Sequence, residues 1–343
     1  MRDTRRRLTL LPLDTVRFLH VLERDGRYAA ELREAPDPVP AAGEVLVRVA
    51  ASGVNRADLS QIAGRYPPPP GESSILGLEI SGTVVGTGAP VCALLGGGGH
   101  AELAAVPAGQ MLPIPPTMDL ATAAALPEAY LTAFVNLVVE AGLQAGQRVL
   151  IHAGASGVGL AAIQVARYCG AQVAATTRSP DKLAALEAVG ADLAIVAPAD
   201  GGTAEVERQW GRDAVDVVLD PIGGSGVGGD LRLLAPGGHI VVIATMGGAR
   251  AEIDLAMLMR KRARLVGSTL RARSRAEKAR LIARFRDECL PGFAAERLRV
   301  TVDTTYPAAK AAQAFQRMRE NRNTGKLLIC WSATCESSGR PPV

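Results

Sequence analysis

Aromatic side chains are scarce: Phe, Trp and Tyr make up 3% of the 343 residues. That scarcity argues against the stacked-base platform that single-stranded nucleic acid needs, and it leaves Ala, Val, Leu and Ile to fill the core. Cysteines are few and unpatterned. Cys92, Cys169, Cys289, Cys330 and Cys335 are scattered, and no Cys-x-x-Cys occurs. Neither a disulfide framework nor a ribbon-type zinc site is indicated, and reduced thiols in a cytoplasmic protein are the expectation. No run of 18 apolar residues is present, so we expect no transmembrane helix and no membrane partner. A strong excess of one charge is missing too. Lys and Arg number 38 against 34 Asp and Glu, a net +4, too mild for a dedicated nucleic-acid binder.

What is present points to two domains. A chain of this length holds roughly two units of about 100–200 residues. Apolar residues at 48% exclude wholesale disorder, and 37 Gly with 22 Pro imply many tight turns. Residues 1–16 read as a basic, loose leader, with Arg5-Arg6-Arg7 ahead of a short apolar stretch that Pro12 and Asp14 interrupt. Residues 17–130 read as β-rich, with strands over 44–50 and 77–85. Gly96 to Gly99 form a bare loop that a ligand or another chain segment could approach. From about 131 the texture alternates. Strands over 148–153, 172–176, 193–196, 215–220, 239–244 and 265–268 are separated by helical or turn-rich segments, which implies a doubly wound parallel sheet over 131–270. Residues 271–343 carry a charged helix over 275–286, a strand over 298–302, a helix over 308–319 and a last strand over 326–330. We expect this part to rejoin the first domain.

The sharpest motif is Val149-Leu150-Ile151-His152-Ala153-Gly154-Ala155-Ser156-Gly157-Val158-Gly159. A strand, a glycine turn and a helix start offer bare N–H groups and a favourable dipole to a diphosphate. Gly154, Ser156, Gly157, Val158 and Gly159 are therefore assigned to a dinucleotide. NAD sites place a carboxylate on the ribose about 20 residues after the glycines. Here that stretch reads Thr177-Arg178-Ser179-Pro180-Asp181-Lys182. Thr177 and Arg178 occupy the strand tip, and Arg178, Ser179 and Lys182 can pair with a 2′-phosphate, so NADPH is the expected cofactor. The alternative for Arg178 is an ordinary solvated charge. His152 reads as a hydrogen-bonded structural histidine, and His100 as a surface one.

At these residues the chain resembles the medium-chain dehydrogenases/reductases, and within them the zinc-independent, zeta-crystallin-like NADPH:quinone oxidoreductases. It looks most like the branch of the p53-inducible quinone reductase. The resemblance runs from about 17 to 330. It rests on Val54-Asn55-Arg56-Ala57-Asp58-Leu59, Gly64-Arg65-Tyr66-Pro67-Pro68-Pro69-Pro70-Gly71, Ile75-Leu76-Gly77-Leu78-Glu79, Pro127-Glu128-Ala129-Tyr130-Leu131-Thr132-Ala133-Phe134, the glycine turn, Asp220-Pro221-Ile222-Gly223-Gly224, Gly267-Ser268-Thr269-Leu270-Arg271 and Asn323-Thr324-Gly325-Lys326. It implies an α/β fold: a Rossmann doubly wound sheet plus a β-rich GroES-like catalytic domain.

Zinc-dependent relatives carry a Cys in the segment matching 53–58 and a Gly-His-Glu where this chain has Gly77-Leu78-Glu79. Asn55 and Leu78 replace those ligands, so no metal is expected. The resemblance implies that Asn55, Asp58 and Tyr66 lie beside the nicotinamide, with Tyr66 hydrogen bonding to the accepting oxygen. The plainer alternatives are a helix cap for Asn55 and Asp58 and packing for Tyr66. It further implies that Thr132, Ile243, Ala244, Leu270 and Arg271 line the nicotinamide pocket and that Asn323 and Lys326 close over the cofactor. Relatives pair the edge strand near 265–268, so a homodimer is expected. The implied activity is hydride or electron transfer to a quinone. An enone or enoyl reductase shares the same cofactor geometry, and a non-catalytic NADPH- or RNA-binding crystallin-like role is the rival of another class. A short 86–90 hairpin, Ala197 in place of a Tyr, and the leader depart from the family pattern.

Overall fold

The computed structural model describes residues 15–197 and 201–331. Residues 1–14 and 332–343 lie outside the described part. The fold opens with a hairpin of β1 (Thr15–Arg24) and β2 (Arg27–Pro36). Asp25 and Gly26 form its two-residue turn, both at positive φ, the conformation that matches the strand twist. Because β1 starts at Thr15, Thr15 and Val16 belong to the fold and not to the leader. The strands β3 (Glu44–Val54), β4 (Glu79–Val84), β5 (Pro90–Leu94), β6 (Leu103–Pro107) and β7 (Met111–Pro113) follow. The glycine run after β5 admits a chain segment: a side chain at Gly97 would strike the carbonyl of Ser73, and one at Gly77 would strike the backbone at His100.

The parallel sheet comprises β8 (Arg148–Ile151), β9 (Gln172–Thr177), β10 (Leu193–Val196), β11 (Val215–Asp220), β12 (Leu234–Val242) and β13 (Arg264–Gly267). Its order is β10-β9-β8-β11-β12-β13. The order reverses direction at β8, the place where such sheets open a ligand crevice at their carboxyl ends. β12 begins at Leu234, ahead of its expected start at His239. The chain then returns through the helix Arg275–Glu288 to β14 (Val302–Pro307) and β15 (Lys326–Cys330). Both join the first domain's sheet, in the order β14-β15-β3-β4-β5-β7, with β6 also on β3.

The strand placed at 298–302 runs over Val302–Pro307. Leu298 is instead buried in the hydrophobic core, while the Asp303, Thr304 and Thr305 of the true strand hid its pattern. His100 is fully buried, not on the surface: its Nδ1 lies 2.8 Å from Ser52 Oγ and its ring meets Phe315 edge-on. Cys92, Cys169 and Cys289 are free thiols, but Cys330 is disulfide-bonded.

The few aromatics pair off in the core. Tyr130 meets Phe293 at 4.7 Å and Phe134 meets Phe285 at 5.6 Å, both edge to face. The helical stretch Thr122–Glu140 is long and apolar enough to span a bilayer, yet 72% of it is buried inside the fold, as in a core helix.

Candidate functional site

β8 ends at Ile151 and the chain turns sharply into the helix Gly157–Tyr168. Ala153 takes a left-handed conformation in that turn. Ser156 caps the helix, its Oγ accepting from Gly159 N at 3.0 Å. The N–H groups of Gly157 and Val158 head the helix at the positive end of its dipole. A Cβ at Gly159 would lie 2.5 Å from the carbonyl oxygens of Ala153 and Gly154, so the turn closes only over a glycine. Gly154 is packed against Ala175 and Leu186. The returning segment docks on this turn: Gly325 N donates to Ala155 O at 2.9 Å.

At the end of β9, Thr177 is buried and its Oγ1 accepts from Ser179 N at 3.3 Å, while Arg178 is exposed. Lys182 departs from the role foreseen for it. Its ammonium donates to the carbonyls of Asn321, at 2.6 Å, and Asn323, at 2.8 Å, and so ties this loop to the returning segment. Asn323 turns its own Nδ2 to Gly325 O at 2.8 Å. Across the cleft, Arg56 bonds to Met318 O and Asn321 Oδ1; burial, then the charge of Arg178, holds its pKa below the usual value.

The other end of the cleft is built on β3. Gly53 and Val54 lead into Asn55, which heads the helix Arg56–Ile62. Gly53 has no alternative, because the carboxylate of Glu79 lies where its Cβ would be. That carboxylate is fully buried. Oε1 accepts from Asn55 Nδ2 at 2.9 Å and is ion-paired with Lys326 Nζ, and Oε2 accepts from Glu128 N at 2.8 Å. Lys326 Nζ also donates to Asn55 Oδ1 at 2.6 Å and to Val54 O at 3.2 Å.

Asp58 does not reach the cleft. Its two oxygens accept from Asn55 N, at 2.7 Å, and Gly77 N, at 3.1 Å, and the side chain is buried. It positions the Asn55 loop, a correction to its expected place at the nicotinamide. Leu78 points into the core. Among the described residues no group of three His, Cys, Asp or Glu side chains could hold a metal. The position beside Glu79 that a metal cation could neutralise is taken by an ammonium.

Tyr66 is half-buried. Burial, then the charge of Glu128, keeps its phenol above the usual pKa, so it stays protonated. Arg271 stacks over its ring, 5.1 Å from the centroid. Its guanidinium donates to Gly96 O (2.8 Å), Tyr66 O (3.1 Å) and Gln61 Oε1 (2.7 Å), which makes Arg271 a strut across the cleft. Thr132 and Leu270 are buried, Ile243 is partly exposed and Ala244 is exposed at the carboxyl end of the parallel sheet. His152 sits behind the glycine turn with both ring nitrogens engaged, by Thr176 Oγ1 at 3.1 Å and Asp230 Oδ1 at 2.9 Å. Burial opposes its charge, but Asp230 and Asp220 outweigh that and raise its pKa.

Sequence reasoning missed Glu79 and Glu128 beside Asn55 and Lys326, and it missed the burial of Lys278. For the first two a signal existed in the quoted motifs. Lys278 gave none, because a lysine in a charged helix reads as solvated.

Two family descriptions match the chain. "Alcohol dehydrogenase GroES-like domain" covers residues 41–116, and "Zinc-binding dehydrogenase" covers 157–286. The spectinabilin polyketide synthase protein NorB of Streptomyces orinoci is 36% identical over 348 residues, across 96% of this chain but only 15% of its own length. The chain thus spans a small part of that relative. A quinone oxidoreductase-like protein 2 homolog of Nematostella vectensis is 30% identical over 298 residues, 83% of this chain and 81% of that protein. Among solved structures, the quinone oxidoreductase of Thermus thermophilus, also determined as its complex with NADPH, is 34% identical, with a TM-score of 0.79 over 92% of this chain and 100% of that one. The CurK enoyl reductase is 27% identical, with a TM-score of 0.76 over 92% and 99%.

Proposed function

The chain belongs to the zinc-independent quinone oxidoreductase family of the medium-chain dehydrogenases/reductases, and on that premise we propose that it reduces a quinone with NADPH and without a metal. The observation that carries this reading is the Lys326 ammonium, hydrogen-bonded to Asn55 and Val54 and paired with Glu79, in the place where a metal cation could balance the buried carboxylate. The glycine turn fits the cofactor independently, since Gly159 tolerates no side chain and the turn leads straight into the N-terminus of the helix Gly157–Tyr168. When bound, NADPH supplies the hydride. Gly157 and Val158 hold the diphosphate through their N–H groups, and Ser156 can add its hydroxyl proton. Arg178 and Ser179 take the 2′-phosphate, with the third N–H of Lys182 in reserve. Asn55 has both ends of its amide committed and holds Lys326 and Glu79 in register. Tyr66 offers its phenol to the accepting oxygen. A quinone needs little electrophilic help, so orientation and exclusion of water carry most of the rate.

A second reading has its own support. The likeness to the CurK enoyl reductase, and to polyketide synthase proteins, favours an activated C=C bond as the acceptor. Steady-state assays with NADPH and NADH against ortho-quinones and 2-enoyl thioesters separate the two. Turnover of quinones alone supports the first reading, turnover of thioesters alone the second, and no turnover on either panel overturns both.

Arg178→Ala should weaken NADPH binding about 10- to 150-fold, the worth of one charge-assisted hydrogen bond, and leave NADH within about twofold. Isothermal titration with both nucleotides reads this, and equal losses would remove the phosphate assignment. Among the described residues the edge strand β13 pairs only with β12, and Leu265 on it is 43% exposed. We assign it to a homodimer, because an unpaired apolar edge invites pairing. Sedimentation velocity should show a dimer that Leu265→Lys dissociates; a wild-type monomer would refute it.

A further inference from the structure

The helix Pro127–Phe134 carries one charged residue, Glu128, in its first turn. Glu128 is its least buried member, and it lies one turn ahead of Thr132 on the same helix face. Its backbone N–H is fixed on Glu79 Oε2 at 2.8 Å, which places it against the Asn55–Lys326 network. Its own carboxyl oxygens make no hydrogen bond or ion pair among the described residues. Charged and titratable groups on several neighbouring elements act on it electrostatically. They are Glu79 on β4, Asp58 on the helix Arg56–Ile62, Lys326 on β15, Lys278 on the helix Arg275–Glu288, and Tyr66 and Arg271 from the loops across the cleft.

Lys278 is the second unusual group. It is 1% exposed, and its ammonium has no hydrogen-bond partner among the described residues. Burial lowers its pKa, Glu72 and Glu128 attract its charge, and Arg271 and Arg275 repel it. Its nitrogen is not one of the fully sealed polar atoms of the described residues, so it keeps contact with solvent and is free to pair with a negative charge that forms nearby.

Resting on the reductase reading above, we propose that Glu128 is the general acid of the reaction, with Lys278 and Lys326 as the cations that stabilise the carboxylate it becomes. The acceptor gains two electrons with the hydride and carries a negative oxygen, or an enolate in the C=C case. The O–H bond of Glu128 breaks, its electron pair stays on the carboxylate, and the proton forms the new O–H or C–H bond of the product. Water then returns a proton to Glu128. Burial, reinforced by Glu79 and Asp58 and opposed by Lys326 and Lys278, brings the Glu128 carboxyl up to about 8. It is therefore mostly protonated at neutral pH, close to the value at which an acid donates best. The Tyr66 phenol, held above its ordinary value, is the poorer proton source and serves as a hydrogen-bond donor.

The test uses the full chain. Turnover of the wild type should fall as pH rises through about 8. Glu128→Gln should keep the melting temperature and NADPH affinity, lose about 10²-fold in kcat, and lose the alkaline limb. Infrared difference spectra of the ligand-free protein, wild type minus Glu128→Gln, should show a protonated carboxyl at neutral pH that disappears over the same range. A limb that persists in Glu128→Gln, or no protonated carboxyl in the difference spectrum, overturns this proposal alone. A wild type that turns over neither quinones nor thioesters overturns the reductase reading, and the assigned role with it.

Discussion

Lys326→Met should lower the unfolding free energy by about 3–5 kcal/mol, a large share of the total stability of roughly 5–15 kcal/mol. Methionine keeps most of the stem that packs on the glycine turn, so the loss reports the charge. In the wild type the fully buried Glu79 carboxylate has three partners among the described residues, and of these only Lys326 is a cation. Asn55 Nδ2 and Glu128 N remain after the substitution but leave the charge uncompensated. Adding Glu79→Gln removes that charge; its one amide oxygen can still accept from Glu128 N, and Asn55, released from Lys326, can flip its amide so that Oδ1 accepts from the new NH2. The double variant should recover most of the loss, because a buried pair deleted from both sides costs far less than one deleted from one side. Urea unfolding at neutral pH measures both. A loss under about 1 kcal/mol, or additive effects of the two substitutions, would mean that water reaches Glu79 and the network is not the closed one seen here.

The sequence reads well where one element repeats one pattern. The parallel strands and the glycine turn are continuous local signals, and strands such as Leu193–Val196 and Val215–Asp220 stand where expected. The hairpin of β1 and β2 carries its own signal in Asp25-Gly26, which a reading of the region as merely β-rich overlooks. The cleft was readable in outline and not in detail. Asn55 and Lys326 were both singled out, yet Lys326 pairs with Glu79, 247 positions away, and no local pattern encodes that contact. Asp58 and Lys182 show the same limit from the other side. Each has the residue type that a site needs, but backbone groups take the atoms a ligand would have used. Lys278 is one buried lysine in a helix whose other basic residues are mostly solvated, and only the packing distinguishes it.

These contacts have a common logic. Lys182, Arg271 and Lys326 each cross from one part of the chain to another, and each gives at least one N–H to a backbone carbonyl. Carbonyl partners fix a cation's position without cancelling its charge. Glu79 balances Lys326, so Lys182 and Arg271 are the cations that keep their positive charge while being held in place, which suits a phosphorylated, anionic cofactor.

The glycine turn supplies the other large effect. Gly159→Ala would put a methyl 2.5 Å from two backbone oxygens of the turn, at Ala153 and Gly154, and no side chain there can swing away. The helix head must retreat, costing about 1–3 kcal/mol in stability, and NADPH binding should weaken at least about tenfold as the amides move off the diphosphate. Gly157→Ala meets a different obstacle, the stem of Lys326. That stem could bend, but its ammonium is anchored on Asn55, Val54 and Glu79, so the methyl pulls against the network. The two substitutions should therefore separate in a Glu79→Gln/Lys326→Ala background. Gly157→Ala should lose most of its cost there, with an interaction energy of about 0.5–3 kcal/mol, whereas Gly159→Ala should cost the same in both backgrounds. Equal behaviour of the two glycines in calorimetric unfolding would show that Lys326 yields freely, and that its tie to Glu79 does not reach the cofactor turn.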